Sequence, residues 1–204
     1  MKHTKIVLLT AAVVMMTQAL GLSAAAEEET SAQSSEESVI DADSLSSDES
    51  SKETLISGDY SYTLDGDNAT ITKYNGSETA VTIPDKLDGH TVTTLGSGTF
   101  ATKDMITSIT IPATVDTINS SCFYGCTVLE QVSLAEGNTA FTVTDGVLFS
   151  ANGEDLIVYP QAMEGTSYTI PDTVREIWTS AFSNTKLTDV TFPDGLLYLS
   201  LIHI

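Results

Sequence analysis

The sequence predicts a β-rich solenoid, in which short parallel strands stack in coils of 22–23 residues and are preceded by a small antiparallel β meander. The first observation is a recurring apolar pattern: Leu134 lies 23 residues after Ile111, and Phe192 lies 22 residues after Ile170. The second is proline directly after several apolar segments, where it ends a strand because it has no N–H to donate. The third is a set of alternating apolar and polar segments before the repeats.

The repeating unit explains why such coils must stack. One full copy reads Ile106-x-x-Ile109-x-Ile111-Pro112-x-x-Val115-x-x-Ile118 and then Phe123. Each coil can hide its inward side chains only against the coils above and below, so neighbouring strands pair in parallel about 4.8 Å apart. We expect a right-handed stack with one continuous core. We expect Phe100, Phe123 and Phe182 to fill the back of their coils rather than to form an aromatic cofactor box, each contributing about 1.5–3 kcal/mol by burial.

The meander is predicted as a cap over residues 58–84, and the repeats over residues 85–199. Within the cap, the segments YSYTL, ATITKY and TAVTIP alternate at period two. Turn signals separate them at Asp65-Gly66-Asp67-Asn68 and at Asn75-Gly76. The first of these turns also resembles the start of a calcium loop, but Ala69 replaces the next oxygen ligand, so we expect a hairpin turn.

Two insertions interrupt the repeats. A hairpin is expected near 141–160, closed by Asn152-Gly153, and we expect it to protrude from the stack. A shorter insertion, Lys86 to His90, is expected to be a loop.

Residues 1–26 have the features of a cleaved secretory signal peptide. Lys2 and Lys5 precede an apolar run from Ile6 to Met16, and Ala24-Ala25-Ala26 supplies small residues for cleavage. An uncleaved membrane anchor is the alternative, for which the run is short. No membrane span is expected after cleavage.

Residues 27–57 are predicted to be a disordered leader, because they are rich in Glu, Asp and Ser and lack aromatic residues. A solvated spacer and a calcium-sequestering tail are the two interpretations of this leader. Residues 200–204 fit no position of the repeat, so we expect an aberrant tail and an incomplete chain.

The charge balance excludes one class of partner. The chain of 204 residues has 8 Lys and Arg against 28 Asp and Glu, a net charge of −20. Nucleic-acid binding through phosphate neutralisation needs the basic residues that are scarce here. Cys122 and Cys126 are too few for a disulfide scaffold and do not have CxxC spacing.

The repeats resemble the BspA-like leucine-rich repeat family. The resemblance rests on IPATVDTINSSCFYGCTVLEQVSL and YTIPDTVREIWTSAFSNTKLTDVTFP, and it covers about Ser57 to Tyr198. The usual glycine of the unit is kept only at Gly96, while Asn119 and Trp178 replace it elsewhere. The resemblance implies a leucine-rich repeat fold and a secreted or surface-attached bacterial protein, and several members of the family act as adhesins.

Catalytic, metal and cofactor sites are not expected. A cysteine nucleophile would need a positioned base, and the one histidine available in the repeats is His90. Cys122 shares the repeat position of Ala181, which favours a structural thiol; a local disulfide with Cys126 and catalysis are the alternatives.

The outward faces of the strands form the candidate ligand-binding surface. In a strand, the residues flanking a buried apolar residue point outward. Across the coils this rule gives Ala80 and a ladder of mostly hydroxyl side chains: Thr82, Ser108, Thr110, Gln131, Ser133, Ser167, Thr169, Asp189 and Thr191. The ladder suits a polypeptide strand or a glycan, although Thr also favours strands for local reasons. Tyr124 and Trp178 are further candidates, either as exposed anchors or as partly buried residues.

The sequence therefore predicts a noncatalytic protein that is secreted or attached to the cell surface and that binds or adheres to an extracellular protein or glycan. The alternative is the recognition arm of a larger secreted enzyme whose catalytic domain lies outside this sequence.

Overall fold

In a computed structural model, residues 5–7 and 52–199 are described, and they form 17 strands and no helix. No helix among these residues therefore has the length and apolar character that a membrane crossing needs. The strands are β1 (Lys5–Val7), β2 (Leu55–Ser57), β3 (Tyr60–Asp65), β4 (Asn68–Tyr74), β5 (Ala80–Thr82), β6 (Lys86–Leu87), β7 (His90–Leu95), β8 (Ser108–Ile111), β9 (Thr117–Ile118), β10 (Gln131–Leu134), β11 (Phe141–Thr144), β12 (Val147–Ser150), β13 (Asp155–Val158), β14 (Ser167–Thr169), β15 (Glu176–Ile177), β16 (Asp189–Thr191) and β17 (Tyr198–Leu199).

The repeats form a β-solenoid with parallel strands at a spacing of about 23 residues, as the sequence predicts. We number five coils by their first strands, β5, β8, β10, β14 and β16. Strand β8 pairs in parallel with β5 and β10, and β14 pairs in parallel with β16. The second strands of the coils form further ladders, in which β9 pairs in parallel with β7, and β15 pairs in parallel with β13 and β17.

The cap differs from the predicted three-stranded meander. Strands β2, β3 and β4 form an antiparallel meander, and Asp65 and Asn68 pair across the predicted hairpin turn. The third predicted segment, TAVTIP, instead supplies β5 to the first coil. Residues 55–57, at the end of the predicted leader, form the outer strand β2. Strand β4 then pairs in parallel with β7, so the cap continues directly into the repeat sheet.

The insertion at Lys86–His90 is a two-stranded hairpin and not the predicted loop. Strands β6 and β7 pair antiparallel, with Asp88 and Gly89 both at positive φ in the turn, as a two-residue hairpin requires. The Asp88 carboxylate accepts hydrogen bonds from Ser57 Oγ at 2.7 Å and from Tyr62 OH at 2.8 Å. These two bonds hold the pKa of Asp88 below its usual value and tie the turn to the cap.

The hairpin near 141–160 does not protrude, contrary to the sequence prediction. Strand β12 pairs antiparallel with β11 and β13. Its residues Leu148 and Phe149 are both buried, although successive residues of a strand point to opposite faces. Leu148 belongs to a core cluster shared with the first strands of coils one to three, whereas Phe149 belongs to a second cluster shared with coils four and five.

The core is accordingly divided and not continuous. The first core cluster extends from the cap through Ile109 to Val132, and the second contains Ile170 and Val190. Strands β10 and β14, the first strands of coils three and four, do not pair with each other. The apolar runs VLF and LIV of the hairpin fill the space between the two clusters, because both faces of these strands carry large apolar side chains.

Aromatic side chains pack in two groups near the back turns of the coils, which we define as residues 96–102, 119–125 and 178–184. Phe100 and Phe123 stack with ring centroids 6.0 Å apart, and Phe182 lies 5.7 Å from Tyr159. These phenylalanines are buried, as the sequence predicts. Tyr159 takes the aromatic position of the third coil, which sequence analysis missed because the hairpin insertion changes the spacing.

The position of Gly96 explains why the repeat glycine is kept there. A Cβ atom at Gly96 would lie 2.9 Å from the Ile71 carbonyl oxygen in β4. The Gly96 N–H donates to that same oxygen at 2.8 Å, so the backbones must approach closely. The N–H groups of Asn119 and Trp178, at the equivalent positions, make the same kind of bond, to the carbonyls of Leu95 and Leu156 in the preceding coils.

Three sequence predictions fall largely outside the described residues. The signal peptide is described only at β1, which pairs antiparallel with β16. Residues 27–51 of the leader and the tail at residues 200–204 lie outside the described part of the chain. The signal, the disordered leader and the aberrant tail therefore stay predictions.

Candidate functional site

The predicted ladder lies on two separate sheets. In the first sheet, the residues facing outward align in two rows across three parallel strands. The rows are Ala80, Ser108 and Gln131, and Thr82, Thr110 and Ser133. In the second sheet, Ser167 aligns with Asp189, and Thr169 with Thr191. The break between β10 and β14 separates the two parts, so the ladder is not one continuous surface.

Alternating burial positions the outward rows. The central residues Val81, Ile109 and Val132 are buried, while every ladder residue is exposed or half-buried. The reason is the period of two along a strand: the apolar side chains enter the core and fix the direction of their neighbours. The face is therefore held by well-packed strands and not by loops.

The side chains of the first-sheet ladder have no intramolecular hydrogen bonds among the described residues. Other hydroxyls bond to backbone carbonyls: Thr99 donates to Ile71 at 2.8 Å, and Thr107 and Thr188 donate to the preceding coils, to Thr79 and Thr166, each at 3.1 Å. In the second sheet, the Asp189 carboxylate accepts from the Thr188 hydroxyl at 3.1 Å. The hydroxyl and amide groups of the first sheet thus face outward with their donors and acceptors available.

The two cysteines are free, buried thiols. The Cys126 thiol donates to the Phe100 carbonyl at 3.1 Å, and no hydrogen bond in the described region joins either thiol to His90. Burial raises the pKa of the Cys126 thiol to about 12 and also raises that of Cys122. A protonated thiol is a poor nucleophile, so the environment fits a structural role. Within the described residues, no group of His, Cys, Asp and Glu side chains is arranged to hold a metal ion.

The two aromatic candidates lie in back turns, away from the ladder. Tyr124 is 37 % exposed, and Trp178 is half-buried against the first core cluster. They line the same surface crevice, together with residues of β13.

The buried thiols and phenols predict unfolding at alkaline pH. Burial raises the pKa of Tyr168 to about 12, and that of Tyr60 is raised as well. Their ordinary values are about 8.5 for a thiol and about 10 for a phenol. The raised values mean that the folded state resists deprotonation, so stability is complete below the ordinary pKa and is lost as pH rises toward 12. We expect the urea midpoint, measured by circular dichroism, to fall steadily from about pH 9 upward.

A Cys122→Ala, Cys126→Ala variant is the matched test of the thiol contribution. Its loss of stability should begin nearer pH 10, where only the tyrosines deprotonate. The pH dependence of the midpoint is compared and not its value at pH 7, because alanine also leaves small cavities. An unchanged pH dependence in the variant would contradict the assignment to the thiols.

Parallel strands stacked at this spacing define a leucine-rich repeat solenoid. The family model for the BspA type leucine rich repeat region matches residues 74–151 and 158–201, with six copies. The chain therefore belongs to the BspA-type leucine-rich repeat family. Among curated proteins, none matches the chain.

Solved bacterial structures show similarity at low sequence identity. A leucine-rich repeat protein from Eubacterium ventriosum is 20% identical with a TM-score of 0.46, and the match covers 72% of this chain and 62% of that one. The leucine-rich repeat protein of T. pallidum is 21% identical with a TM-score of 0.47, covering 66% of this chain and 69% of that one. A leucine-rich cell surface protein from Faecalibacterium prausnitzii is 18% identical with a TM-score of 0.37, covering 74% and 76%. This chain thus spans less than two thirds of the Eubacterium protein.

Proposed function

We propose that this protein is a noncatalytic binding module, secreted or attached to the cell surface, which binds an extracellular protein or glycan through the outward face of β5, β8 and β10. The proposal rests on the two aligned rows, whose hydroxyl and amide groups make no side-chain hydrogen bond to any other described residue. A rigid surface of this kind meets the hydrogen-bonding groups of an extended ligand without first reorganising. Export is supported by the predicted signal peptide at residues 1–26.

The first sheet is favoured over the second for two reasons. All three of its strands carry ladder residues, whereas in the second sheet, β1-β16-β14, only β14 and β16 do. Its ladder carries no charge, whereas Asp189 places a carboxylate on the second sheet. The net charge of the chain is −20, so an uncharged face is also where a ligand meets the least local repulsion.

Binding of the full chain to an array of matrix proteins and glycans tests the proposal. We expect a dissociation constant on the order of 1 μM for a single site, made tighter by multivalent display. The variant Thr82→Lys, Thr110→Lys, Gln131→Lys should weaken binding at least about tenfold, because three long charged side chains cover the face. Added salt should leave the wild-type affinity unchanged, since the contacting groups are uncharged.

The matched control is Ser167→Lys, Thr169→Lys, Thr191→Lys, which makes the same change in charge on the second sheet. Thermal unfolding of both variants checks that neither acts by destabilising the fold. Equal losses in the two variants would assign the effect to charge alone, and an unaffected first-sheet variant would place the site elsewhere.

A further inference from the structure

Backbone hydrogen bonds link the aromatic positions of successive coils, and one link is missing. In each link, the N–H of the aromatic residue donates to the carbonyl of the residue before the aromatic residue of the following coil. These bonds, each 2.9 Å long, join Tyr74 to Thr99, Phe100 to Cys122, and Tyr159 to Ala181. Within the described residues, Phe123 makes no such bond to the carbonyl of Val158, the residue before Tyr159 in the following coil.

The backbone hydrogen bonds between successive coils are also interrupted at the strand just before this back turn. The Leu95 carbonyl accepts from Asn119 at 2.8 Å, and the Leu156 carbonyl accepts from Trp178 at 3.0 Å. Ile118 is the residue that pairs with Leu95 in the ladder, yet its carbonyl accepts no corresponding bond from the described part of the next coil. Instead, the Gln161 side chain donates to the Phe123 carbonyl at 3.3 Å, and its own oxygen is buried without a partner.

A crevice opens where these links are missing. It is lined by residues of the back turns of coils two and four and by Ile157 and Val158 of β13. It lies where the back turn of the third coil is short: two residues separate Leu156 from Tyr159, whereas four separate Leu95 from Phe100. Residues of the turns at 119–125 and 178–184 therefore line the same crevice. Its volume of about 280 Å³ includes space that is open to solvent, so the crevice is a shallow surface depression and not an enclosed cavity.

The chemistry of the lining is that of a site for a neutral, hydroxyl-rich ring. None of the lining residues carries a charge, although the chain is strongly acidic. Tyr124 and Trp178 contribute aromatic surface, and Asn119, Ser121 and Ser180 contribute an amide and two hydroxyls. Aromatic rings offer a flat apolar surface, while amides and hydroxyls satisfy the polar edge of a ligand. A charged ligand would find no counter-ion here.

We propose that this crevice is a second binding site, on the back of the solenoid, for one ring of a neutral carbohydrate. This site is independent of the strand face proposed above, since it uses different residues on a different surface. Its ligand stacks on the aromatic side chains and exchanges hydrogen bonds with the amide and hydroxyl groups at the rim.

The single tryptophan of the chain makes the test direct. Trp178 lines the crevice, so its fluorescence reports an occupant without a label. The full chain is titrated with glucose, galactose, mannose, N-acetylglucosamine and their disaccharides, and with glucuronate and a proline-rich peptide for comparison. We expect a saturable change for at least one neutral sugar, with a dissociation constant on the order of 1 mM, as the small size of one ring implies.

Two variants test whether the change comes from the crevice. Tyr124→Ala should weaken sugar binding between about 2-fold and 10-fold, because it removes one aromatic surface. Asn119→Arg, at an exposed position of the rim, should abolish binding by filling the opening. The control is the triple lysine variant of the strand face, which should keep the sugar response even if it loses the ligand of that face.

The possible results separate the alternatives. The absence of a saturable response to every neutral sugar would overturn the proposal, as would a response that both crevice variants leave unaltered. A response to the peptide alone would make the crevice a peptide site, and a response to glucuronate alone would contradict the preference for a neutral ring.

Discussion

We expect Val132→Asp to leave the protein unfolded at 25 °C. Val132 is 1 % exposed and pairs with Ile109 inside the first core cluster. A carboxylate at this position would lie among the buried apolar side chains of the cluster, and its burial costs several kcal/mol whether it stays charged or takes up a proton. The stability of a domain of this size is about 5–15 kcal/mol, so one such group removes most or all of it. Far-ultraviolet circular dichroism should show loss of the β signal.

The control for this prediction is the neighbouring Gln131→Asp. Gln131 is exposed on the same strand, so a carboxylate there stays hydrated and should change stability by no more than about 0.5 kcal/mol. The pair differs by one residue in position and by the direction of the side chain. If the two variants melted at the same temperature, the inward and outward assignment of β10 would be wrong.

The strand register could be predicted from the sequence because it depends on local pattern. Ile109 and Val132 each lie between two polar residues, and Val81 lies between Ala80 and Thr82. In the first two coils proline follows the strand, so the alternation and the end of the strand indicate the same register. The two outward rows follow directly from this register. Their alignment across β5, β8 and β10 follows from the repeat, since equivalent residues of successive coils must stack.

The cap could not be predicted in the same way because its pairings are nonlocal. The segment TAVTIP alternates like a meander strand, and nothing in its own residues says that it pairs with β8 and not with β4. A local sequence signal did indicate the hairpin at Lys86–His90, because Asp88-Gly89 are turn residues typical of a two-residue hairpin. No local sequence signal indicated the parallel pairing of β4 with β7.

The crevice could not be predicted because it arises from a missing link. Sequence patterns identify the residues that repeat, whereas this site lies where the back turn of one coil is shortened. The position of Tyr159, 36 residues after Phe123 instead of 23, hides its equivalence to the repeated phenylalanines. Sequence analysis selected Tyr124 and Trp178 as aromatic candidates, but only the structure places them in one crevice.

The sequence of the hairpin near 141–160 contains evidence against the prediction that it protrudes. A hairpin that projects into solvent would alternate apolar and polar residues, or be polar on both faces. The runs VLF and LIV are instead continuously apolar, which is typical of strands buried on both faces. Both faces of β12 accordingly contact core clusters.

We therefore expect Leu148→Ala and Phe149→Ala each to destabilise the protein strongly. Leu148 is 0 % exposed and Phe149 is 2 % exposed, on opposite faces of β12. Truncation should cost about 2–5 kcal/mol for the leucine and about 3–5 kcal/mol for the phenylalanine, as the transfer of apolar surface and the new cavity add. Urea unfolding followed by circular dichroism measures both, and the control is Thr142→Ala on the neighbouring strand β11, where the side chain is only half-buried.

The two variants together distinguish a hairpin that packs between the two core clusters from one that projects into solvent. In a projecting hairpin, at most one face touches the protein, so one of the two substitutions would change stability by less than about 0.5 kcal/mol. In the observed arrangement both are costly, and the double variant approaches the sum of the single effects, because each side chain packs in a different cluster. A small effect for either residue would mean that the hairpin does not join the two halves of the solenoid.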